Sequence, residues 1–336
     1  MKLPTVIRTI ELVFVLLVCA PLPGWSQTED VFFEHLTVTD GLSQNSVHDI
    51  VQDKDGFLWL ATQDGLNRYD GYDFVVYRHQ TGDAGRRTSL SNSTVWVLHE
   101  DSQGTLWAGT ASGLNRFQRE NDTFIQYHPD QNDPGSLSHA TILALLEDRA
   151  GNFWVGTSRG GLNLLDRETG QFTHFRHDPR DIASLSSDRI IALAEGEDGV
   201  LWVGTEDAGL NRFDTRTGAV TRFRHSPDNP NSLSSDDITT LLMDSEGTLW
   251  IGTNSGGLNA LDPQSGRITR YLHDPAAPGS ISSNTLRTLY EDSQGRLWVG
   301  HYLGGGLDLL DRRSGVFSPV RYQPGVANSL NDDHLL

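Results

Sequence analysis

Aspartates and histidines are the residues of this sequence whose types allow chemistry. Asp188, Asp236 and Asp237 are candidates for a carboxylate pair. Such a pair acts as acid and base in glycoside hydrolysis, provided that its separation and pKa values are right. The chain contains no Gly-x-Ser-x-Gly elbow, zinc signature or phosphate-binding loop. We therefore expect no catalytic residues and no cofactor in this chain, and a propeller-type glycoside hydrolase or lyase is kept as an alternative.

Five histidines recur at almost constant spacing, each before a polar loop: His79, His128, His177, His225 and His273. Equivalent positions in successive structural units form a wide ring and do not converge on one ion. We expect these histidines to cap loops through "HDP"-type turns, and we expect no metal site.

The sequence around these residues is an internal repeat, and its units must position them. Six tryptophans lie 47 or 48 residues apart: Trp59, Trp107, Trp154, Trp202, Trp250 and Trp298. Around each stands an acidic residue, a glycine, Leu-Trp (Phe-Trp in the third copy), and then Gly-Thr or a close variant. One tryptophan at the same position of every unit indicates packing between units. Six stacking sites for a ligand is the alternative.

Each copy is predicted to contain four short strands. In the third copy these are "ILALLED", "NFWVGT", "GLNLLD" and "QFTHFRH", called A to D here. Gly151 and Gly170 mark tight turns between A and B and between C and D. Four antiparallel strands in about 48 residues are typical of one propeller blade. We therefore predict an all-β protein, a β-propeller, and a solenoid of parallel coils is the alternative.

The two ends of the chain extend the repeat. Phe32–Val47 matches an isolated strand D with its following loop, and Asn328–Leu336 matches the beginning of a seventh repeat. We expect six complete blades and an incomplete seventh, within a longer protein. Residues 27–336 are assigned to the propeller.

Residues 1–26 are typical of a secretory signal peptide. Lys2 and Arg8 precede the apolar segment "LVFVLLVCA", which is too short to cross a bilayer. The only cysteine, Cys19, lies inside this segment, so the mature chain has none to form a disulfide. A net charge of −18 argues against nucleic acid as a partner. We expect an exported, periplasmic protein.

"DGLSQNSVHDIVQDKDGFLWLATQDGLNRYDGYDF" (Asp40–Phe74) and its five successors resemble the two-component regulator propeller repeat. The resemblance implies the periplasmic sensor region of a receptor anchored in the inner membrane. Its partners are expected to be a second propeller and a membrane-anchored output, a histidine kinase or a diguanylate cyclase, outside this chain. A propeller that docks a protein is another alternative.

Residues that break the repeat are the candidates for binding, because loops on a rigid scaffold carry most binding residues. The positions just before each strand A vary in charge, and the sixth copy has "HYLGGG" where the fifth has "TNSGG". Mixed polar groups with an aromatic suit a small-molecule or saccharide ligand. The candidates are Trp96, Arg159, Asp188, Arg189, Asp207, Asp236, Asp237, Asn284, Arg287, His301 and Tyr302.

Overall fold

The computed structural model describes residues 33–82, 88–302, 304–326 and 328–333. The predicted signal peptide lies outside these residues. One short 3₁₀ helix, Val38–Asp40, precedes the first strand. The rest of the regular structure among the described residues consists of β-strands.

Twenty-four strands follow one another along the chain. The first three blades contain β1 (Val47–Gln52), β2 (Leu58–Thr62), β3 (Gly65–Tyr69), β4 (Phe74–Tyr77), β5 (Val95–Glu100), β6 (Leu106–Thr110), β7 (Gly113–Gln118), β8 (Thr123–Tyr127), β9 (Ile142–Glu147), β10 (Phe153–Thr157), β11 (Leu162–Leu165) and β12 (Phe172–Phe175). The next three contain β13 (Ile190–Glu195), β14 (Val200–Thr205), β15 (Leu210–Asp214), β16 (Val220–Phe223), β17 (Ile238–Met243), β18 (Leu249–Thr253), β19 (Leu258–Leu261), β20 (Ile268–Tyr271), β21 (Leu286–Glu291), β22 (Leu297–His301), β23 (Leu307–Asp311) and β24 (Val316–Val320).

Each group of four consecutive strands forms one antiparallel sheet in the order A-B-C-D. The A strands of successive blades, β1, β5, β9, β13, β17 and β21, lie next to one another and line the centre. The predicted propeller with six complete blades is therefore confirmed. The A–B and C–D turns lie on one side of the ring, called the turn face here, and the B–C and D–A loops lie on the other, the loop face.

An aspartate closes the A–B turn of five blades. In blade 3, Asp148 Oδ1 accepts the backbone N–H groups of Ala150 and Asn152 at 3.1 and 2.9 Å. Gly151 supplies the left-handed conformation of this turn, with φ of 82°. The other carboxylate oxygen of Asp148 accepts the indole N–H of Trp154 at 2.8 Å. One side chain therefore fixes both the turn and the orientation of the blade's tryptophan.

The tryptophans pack between blades, as the repeat predicts. Trp59 clusters with Val95, Leu98 and Phe117 of blade 2, and the tryptophans of blades 2 to 5 pack in the same way against the following blade. These five indoles are at most 4% exposed. Trp298 of blade 6 is the least buried of the six. The tryptophans are therefore the core of each junction and not six ligand sites.

Ion pairs join neighbouring blades on the turn face. Arg167 of blade 3 contacts Asp101 of blade 2 at 3.1 Å and Glu147 of its own blade. Glu147 in turn accepts the backbone N–H of Ser102 of blade 2. Equivalent Asp–Arg–Glu groups join blades 1 and 2 and blades 5 and 6, through Asp53, Arg119 and Glu100 and through Asp244, Arg312 and Glu291.

The junction of blades 4 and 5 lacks all three residues of this group. Gly196, Met243 and Pro263 stand where the other junctions have the aspartate, the glutamate and the arginine. Consequently the buried indole N–H of Trp202 has no hydrogen-bond partner among the described residues. The Asp–Arg–Glu group is thus absent from this junction, and the two blades pack through apolar side chains such as Trp202, Ile251 and Leu261.

The N-terminal segment occupies the position of a strand D beside the beginning of the seventh repeat. The Phe33 backbone N–H donates to the Asn328 carbonyl oxygen at 3.2 Å. Phe172 and Gly135 form the equivalent bond in blade 3 at 2.7 Å. His35 Nε2 also lies 2.8 Å from the Ser329 carbonyl oxygen, where blade 3 has His174 and Ser136. The segment makes the contacts of a strand D without being a regular strand, so this part of the prediction is only approximately correct.

Replacing Asp101 with alanine tests the turn carboxylate. Asp101→Ala leaves the Trp107 indole N–H without its acceptor and removes the ion pair with Arg167. We expect a loss of about 2–4 kcal/mol in the free energy of unfolding, because a buried donor and a cation both lose their partner. Urea unfolding followed by tryptophan fluorescence measures this loss. Glu197→Ala, in the turn of blade 4 that lacks the aspartate, is the control, and equal midpoints for the two variants would contradict the interpretation.

Candidate functional site

The A strands present one irregular residue each at the loop face. In every blade the pairing of strands A and B shifts register at the second residue of strand A, which is a β-bulge. A bulge leaves one residue out of the ladder and redirects its side chain. These six residues form what is called the bulge ring here: His48, Trp96, Leu143, Ile191, Thr239 and Arg287.

Half of the bulge ring is aromatic or charged. The rings of His48 and Trp96 stack with centroids 4.4 Å apart and planes inclined by 19°. His48 Nδ1 lies 2.8 Å from the Val95 carbonyl oxygen, so Nδ1 carries the proton of this imidazole. Burial lowers the pKa of His48, and the nearby Arg287 guanidinium lowers it further. Of the predicted site residues, Trp96 thus stacks on His48, and Arg287 holds the same bulge position in blade 6.

His48 was not among the sequence candidates. Its blade lies first in the chain, and "NSVHDI" carries no motif that distinguishes the histidine from a solvent-exposed one. Alignment of the six repeats places it beside Trp96 and Arg287, and this alignment is the signal that identifies it.

Three of the predicted ligand contacts hold the loops together. Asp188 Oδ1 accepts the backbone N–H of His177 at 2.7 Å, and Asp236 Oδ1 does the same for His225. Asn284 Oδ1 accepts the backbone N–H of His273 at 2.8 Å. These three side chains hold the loops of blades 4, 5 and 6, and their contact with a ligand stays a prediction.

The histidines at the ends of the D strands complete the same loops. His177 Nδ1 lies 2.7 Å from the Leu185 carbonyl oxygen, and His225 and His273 make the same contact at 2.7 Å. His79 Nδ1 lies 2.8 Å from the Leu90 carbonyl oxygen in the same way, whereas His128 Nδ1 lies 2.9 Å from the carbonyl oxygen of Ser112. Loop capping is confirmed for four of the five histidines. Among the described residues, no three His, Cys, Asp or Glu side chains are placed to hold a metal ion.

Arg189, Asp207 and Asp237 meet at the junction of blades 4 and 5. Arg189 contacts Glu206 at 2.6 Å and lies 4.0 Å from Asp207. Glu206 raises the pKa of the Arg189 guanidinium, with smaller contributions from Asp207 and Asp237. Asp237 Oδ2 also accepts the Asn254 amide at 2.9 Å. One arginine therefore faces three carboxylates, and this side of the mouth keeps a net negative charge.

His301 is not at the rim, where the sequence analysis expected it. Its side chain is fully buried, and Nε2 lies 2.9 Å from Asp308 Oδ2, which is buried as well. A β-carbon on Gly305 would lie 2.3 Å from His301, so glycine is required beside the imidazole. The insertion in "HYLGGG" makes room for a buried pair and does not present the imidazole to a ligand.

The other blades have threonine and asparagine in place of this pair. In blade 1, Thr62 bonds to the Gly65 carbonyl oxygen, and Asn67 accepts the Ser43 backbone N–H and donates to its hydroxyl. In blade 6, Asp308 accepts both the backbone N–H and the hydroxyl of Ser282 at 2.7 and 2.6 Å. Two coupled replacements thus preserve the same attachment of the D–A loop.

Arg159 and Tyr302 are exposed on the B–C loops of blades 3 and 6. They belong to the rim, and in the part of the chain that the structure describes they form no hydrogen bond or ring contact with the bulge ring.

A cavity of about 500 Å³ opens on the turn face and not at the mouth. Leu193, Leu241 and Met243 line it, together with Arg149 and Glu291. The two charged groups are already paired, Arg149 with Glu195 and Glu291 with Arg312. The cavity favours the turn face as a binding site. Polar groups without partners favour the loop face instead, and we choose the loop face because such groups determine the specificity of a site.

The sequence model of the two component regulator propeller family matches residues 41–64, 89–112, 136–159, 184–207, 232–255 and 280–302. Each match covers the end of a D–A loop, strands A and B, and the beginning of the B–C loop. The chain belongs to this family of propeller repeat proteins.

Two comparisons connect this propeller to signalling proteins. The extracellular domain of a putative hybrid two-component system, BT3049, from B. thetaiotaomicron is 27% identical, with a TM-score of 0.77 over 90% of this chain and 38% of that chain. "Histidine kinase P4" of Formosa agariphila is 48% identical over 66 residues, which are 20% of this chain and 5% of the kinase. This chain thus spans well under half the length of either relative.

A streptogramin B lyase is 16% identical, with a TM-score of 0.60 over 84% of this chain and 85% of the lyase. At this identity the likeness shows the propeller fold alone. Within the described residues, no helix is both long and apolar enough to cross a membrane.

The pH dependence of stability tests the burial of Asp49, the residue after His48. Burial raises the pKa of Asp49 to about 6, against the hydrogen bonds that it accepts from the backbone N–H groups of Leu98 and Ile50. The folded chain therefore holds a proton on Asp49 that the unfolded chain releases near pH 4. This stabilising contribution is complete below pH 4 and is lost as the pH rises through about 6.

Asp49→Asn keeps an acceptor for Leu98 and carries no charge. We expect the variant to be more stable than the parent by about 1–2 kcal/mol at pH 8, and equal to it near pH 4.5. Chemical unfolding from pH 4.5 to 8 measures the difference. A difference that does not change with pH would show that the carboxyl does not titrate in this range.

A double-mutant cycle tests the buried pair of blade 6. His301→Thr and Asp308→Asn each leave one member without its partner, so each is expected to lower the free energy of unfolding by about 1–3 kcal/mol. The double variant recreates the pair found in the other five blades. We expect it to recover about 1–2 kcal/mol of the summed losses, as measured by urea unfolding. Additive losses would mean that the two side chains are not coupled.

Proposed function

We propose that this chain is a ligand-sensing propeller, the input region of an exported receptor for signal transduction. The ligand is a small molecule or saccharide, and it binds at the mouth of the central channel on the loop face. The observation that carries the proposal is the bulge ring. Six equivalent backbone positions line the mouth of the channel, and their side chains differ from blade to blade. Trp96, His48 and Arg287 form the aromatic and cationic part of this ring.

The scaffold alone does not account for these residues. Leu143 and Ile191 show that an aliphatic side chain satisfies the same bulge in blades 3 and 4. A tryptophan and an arginine at equivalent positions each bring a polar group whose burial costs free energy unless it is paired. The buried Nε1 atom of Trp96 has no partner among the described residues. A bound ligand is the simplest source of the missing partner.

The relatives support the receptor part of the proposal. One is the extracellular domain of a putative hybrid two-component system, and another is a histidine kinase. On this basis we propose a periplasmic location, anchoring of the whole receptor in the inner membrane, and a second propeller and a kinase or cyclase output as its intramolecular partners. Any catalytic activity would then belong to those other domains.

Trp96→Leu tests the site, because leucine is the residue of blade 3 at the same position. A thermal-shift screen of the purified protein against oligosaccharides, amino acids, nucleotides and organic acids identifies a stabilising compound. We expect the parent to bind this compound at least ten times more tightly than Trp96→Leu, as measured by calorimetry. The reason is that an aromatic stacking surface and a donor are lost together.

Arg149→Ser is the matched control on the turn face, where serine stands at the equivalent position of blades 2, 5 and 6. It is expected to bind like the parent. Equal binding by the parent and Trp96→Leu would exclude the channel mouth, and loss of binding in Arg149→Ser would move the site to the turn-face cavity. Chemical conversion of the compound, detected by mass spectrometry, would replace the sensor with an enzyme.

A further inference from the structure

We propose that the channel mouth recognises an anionic ligand, and specifically a carboxylate group carried on a flat or apolar body. This inference rests on the proposed function and assigns the chemical class of its ligand. It is narrower than the expectation drawn from the sequence, which was a small-molecule or saccharide ligand, with a carboxylate acid–base pair as the alternative.

The carboxylates predicted for the mouth already have hydrogen-bond or ion-pair partners. Asp188 and Asp236 accept backbone N–H groups of their own loops. Asp237 accepts the Asn254 amide, and Asp207 lies beside Arg189. All of them lie on blades 4 and 5, on one side of the ring. The acidic residues predicted for the site therefore serve the scaffold or compensate a local cation.

Arg287 differs from most partly buried arginines among the described residues. Arg167 and Arg312 each contact two carboxylates, and Arg222 and Arg270 donate to backbone carbonyl oxygens; Arg116 resembles Arg287 in having no such contact. Arg287 is also partly buried, yet it forms no hydrogen bond or ion pair with any residue that the structure describes. An arginine removed from water without an anion is rare because its charge is costly to desolvate. The chain has a net charge of −18 and therefore many carboxylates, yet none of those that the structure describes pairs with Arg287.

The other polar members of the bulge ring offer a donor and a flat surface. Arg287 and His48 hold the same bulge position in blades 6 and 1, and the His48 ring stacks on Trp96 with centroids 4.4 Å apart. The indole N–H of Trp96 is a second donor without an acceptor among the described residues. The guanidinium fork matches the geometry of a carboxylate, and the stacked rings suit a planar or apolar group beside it.

Matched pairs of probes separate charge from shape. Benzoate and benzamide share a ring and differ in charge, and acetate and acetamide form the same comparison without the ring. Calorimetry and thermal shift are measured at constant ionic strength adjusted with sodium chloride. We expect benzoate to stabilise the parent and to bind at least ten times more tightly than benzamide, with acetate weaker than benzoate.

Three variants assign the residues. Arg287→Leu introduces the leucine of blade 3 and is expected to lose the preference for benzoate over benzamide. Arg287→Lys keeps the charge without the fork and is expected to retain part of the preference. Trp96→Leu is expected to weaken benzoate binding at least fivefold and to leave acetate binding almost unchanged. Circular dichroism and the melting temperature without ligand establish that each variant is folded.

Equal binding of benzoate and benzamide to the parent, or an undiminished preference in Arg287→Leu, would overturn the inference. So would stabilisation of the parent by chloride as strong as by the carboxylates, because it would reflect screening alone. If a neutral compound binds in a manner that depends on Trp96 while no carboxylate does, the anionic class is wrong and the proposed sensor remains. If no compound binds in either test, both proposals fail.

Discussion

The ring depends on burying one tryptophan of each blade against the next blade. A single four-stranded sheet has two faces and cannot cover both by itself, so each blade is stable only between two others. The indole supplies the largest apolar area at each junction, and its N–H group must find an acceptor once it is buried. The aspartate of the A–B turn provides this acceptor in five blades, and so the turn and the junction are stabilised by the same side chain.

This arrangement explains where the repeat tolerates change. At the turn face, polar residues form inter-blade groups, and their simultaneous loss between blades 4 and 5 leaves a buried indole N–H without a partner. At the loop face, Thr and Asn are replaced in blade 6 by His301 and Asp308, and the hydrogen bonds to the D–A loop persist. At both places more than one residue of a contacting group differs from the other blades. At the bulge ring, aliphatic, aromatic and charged side chains share one backbone position, so the scaffold does not require a particular side chain there.

The blade architecture was predictable because its causes are local. Alternating apolar residues, the Gly-containing turns and the constant spacing of the tryptophans specify four strands per unit, and β9 to β12 begin and end within two residues of the predicted strands A to D of the third copy. Radial closure follows because each unit leaves an apolar face for the next. The short 3₁₀ helix at Val38–Asp40 is a local exception, where Thr37 caps a turn that the repeat does not contain elsewhere.

The sequence by itself determined the fold class, the repeat, the family and the structural function of the tryptophans, since these follow from patterns within 48 residues. Only the tertiary structure decided which polar residues are available. Asp188 and His301 look alike as deviations from the repeat, but one holds its own loop and the other lies buried against Asp308. Conversely His48, which no motif marks, lies on Trp96 because two bulges from neighbouring blades meet at the channel. Partners that are distant in the chain set burial and pairing, and these two quantities determine whether a charged or aromatic side chain is free to bind.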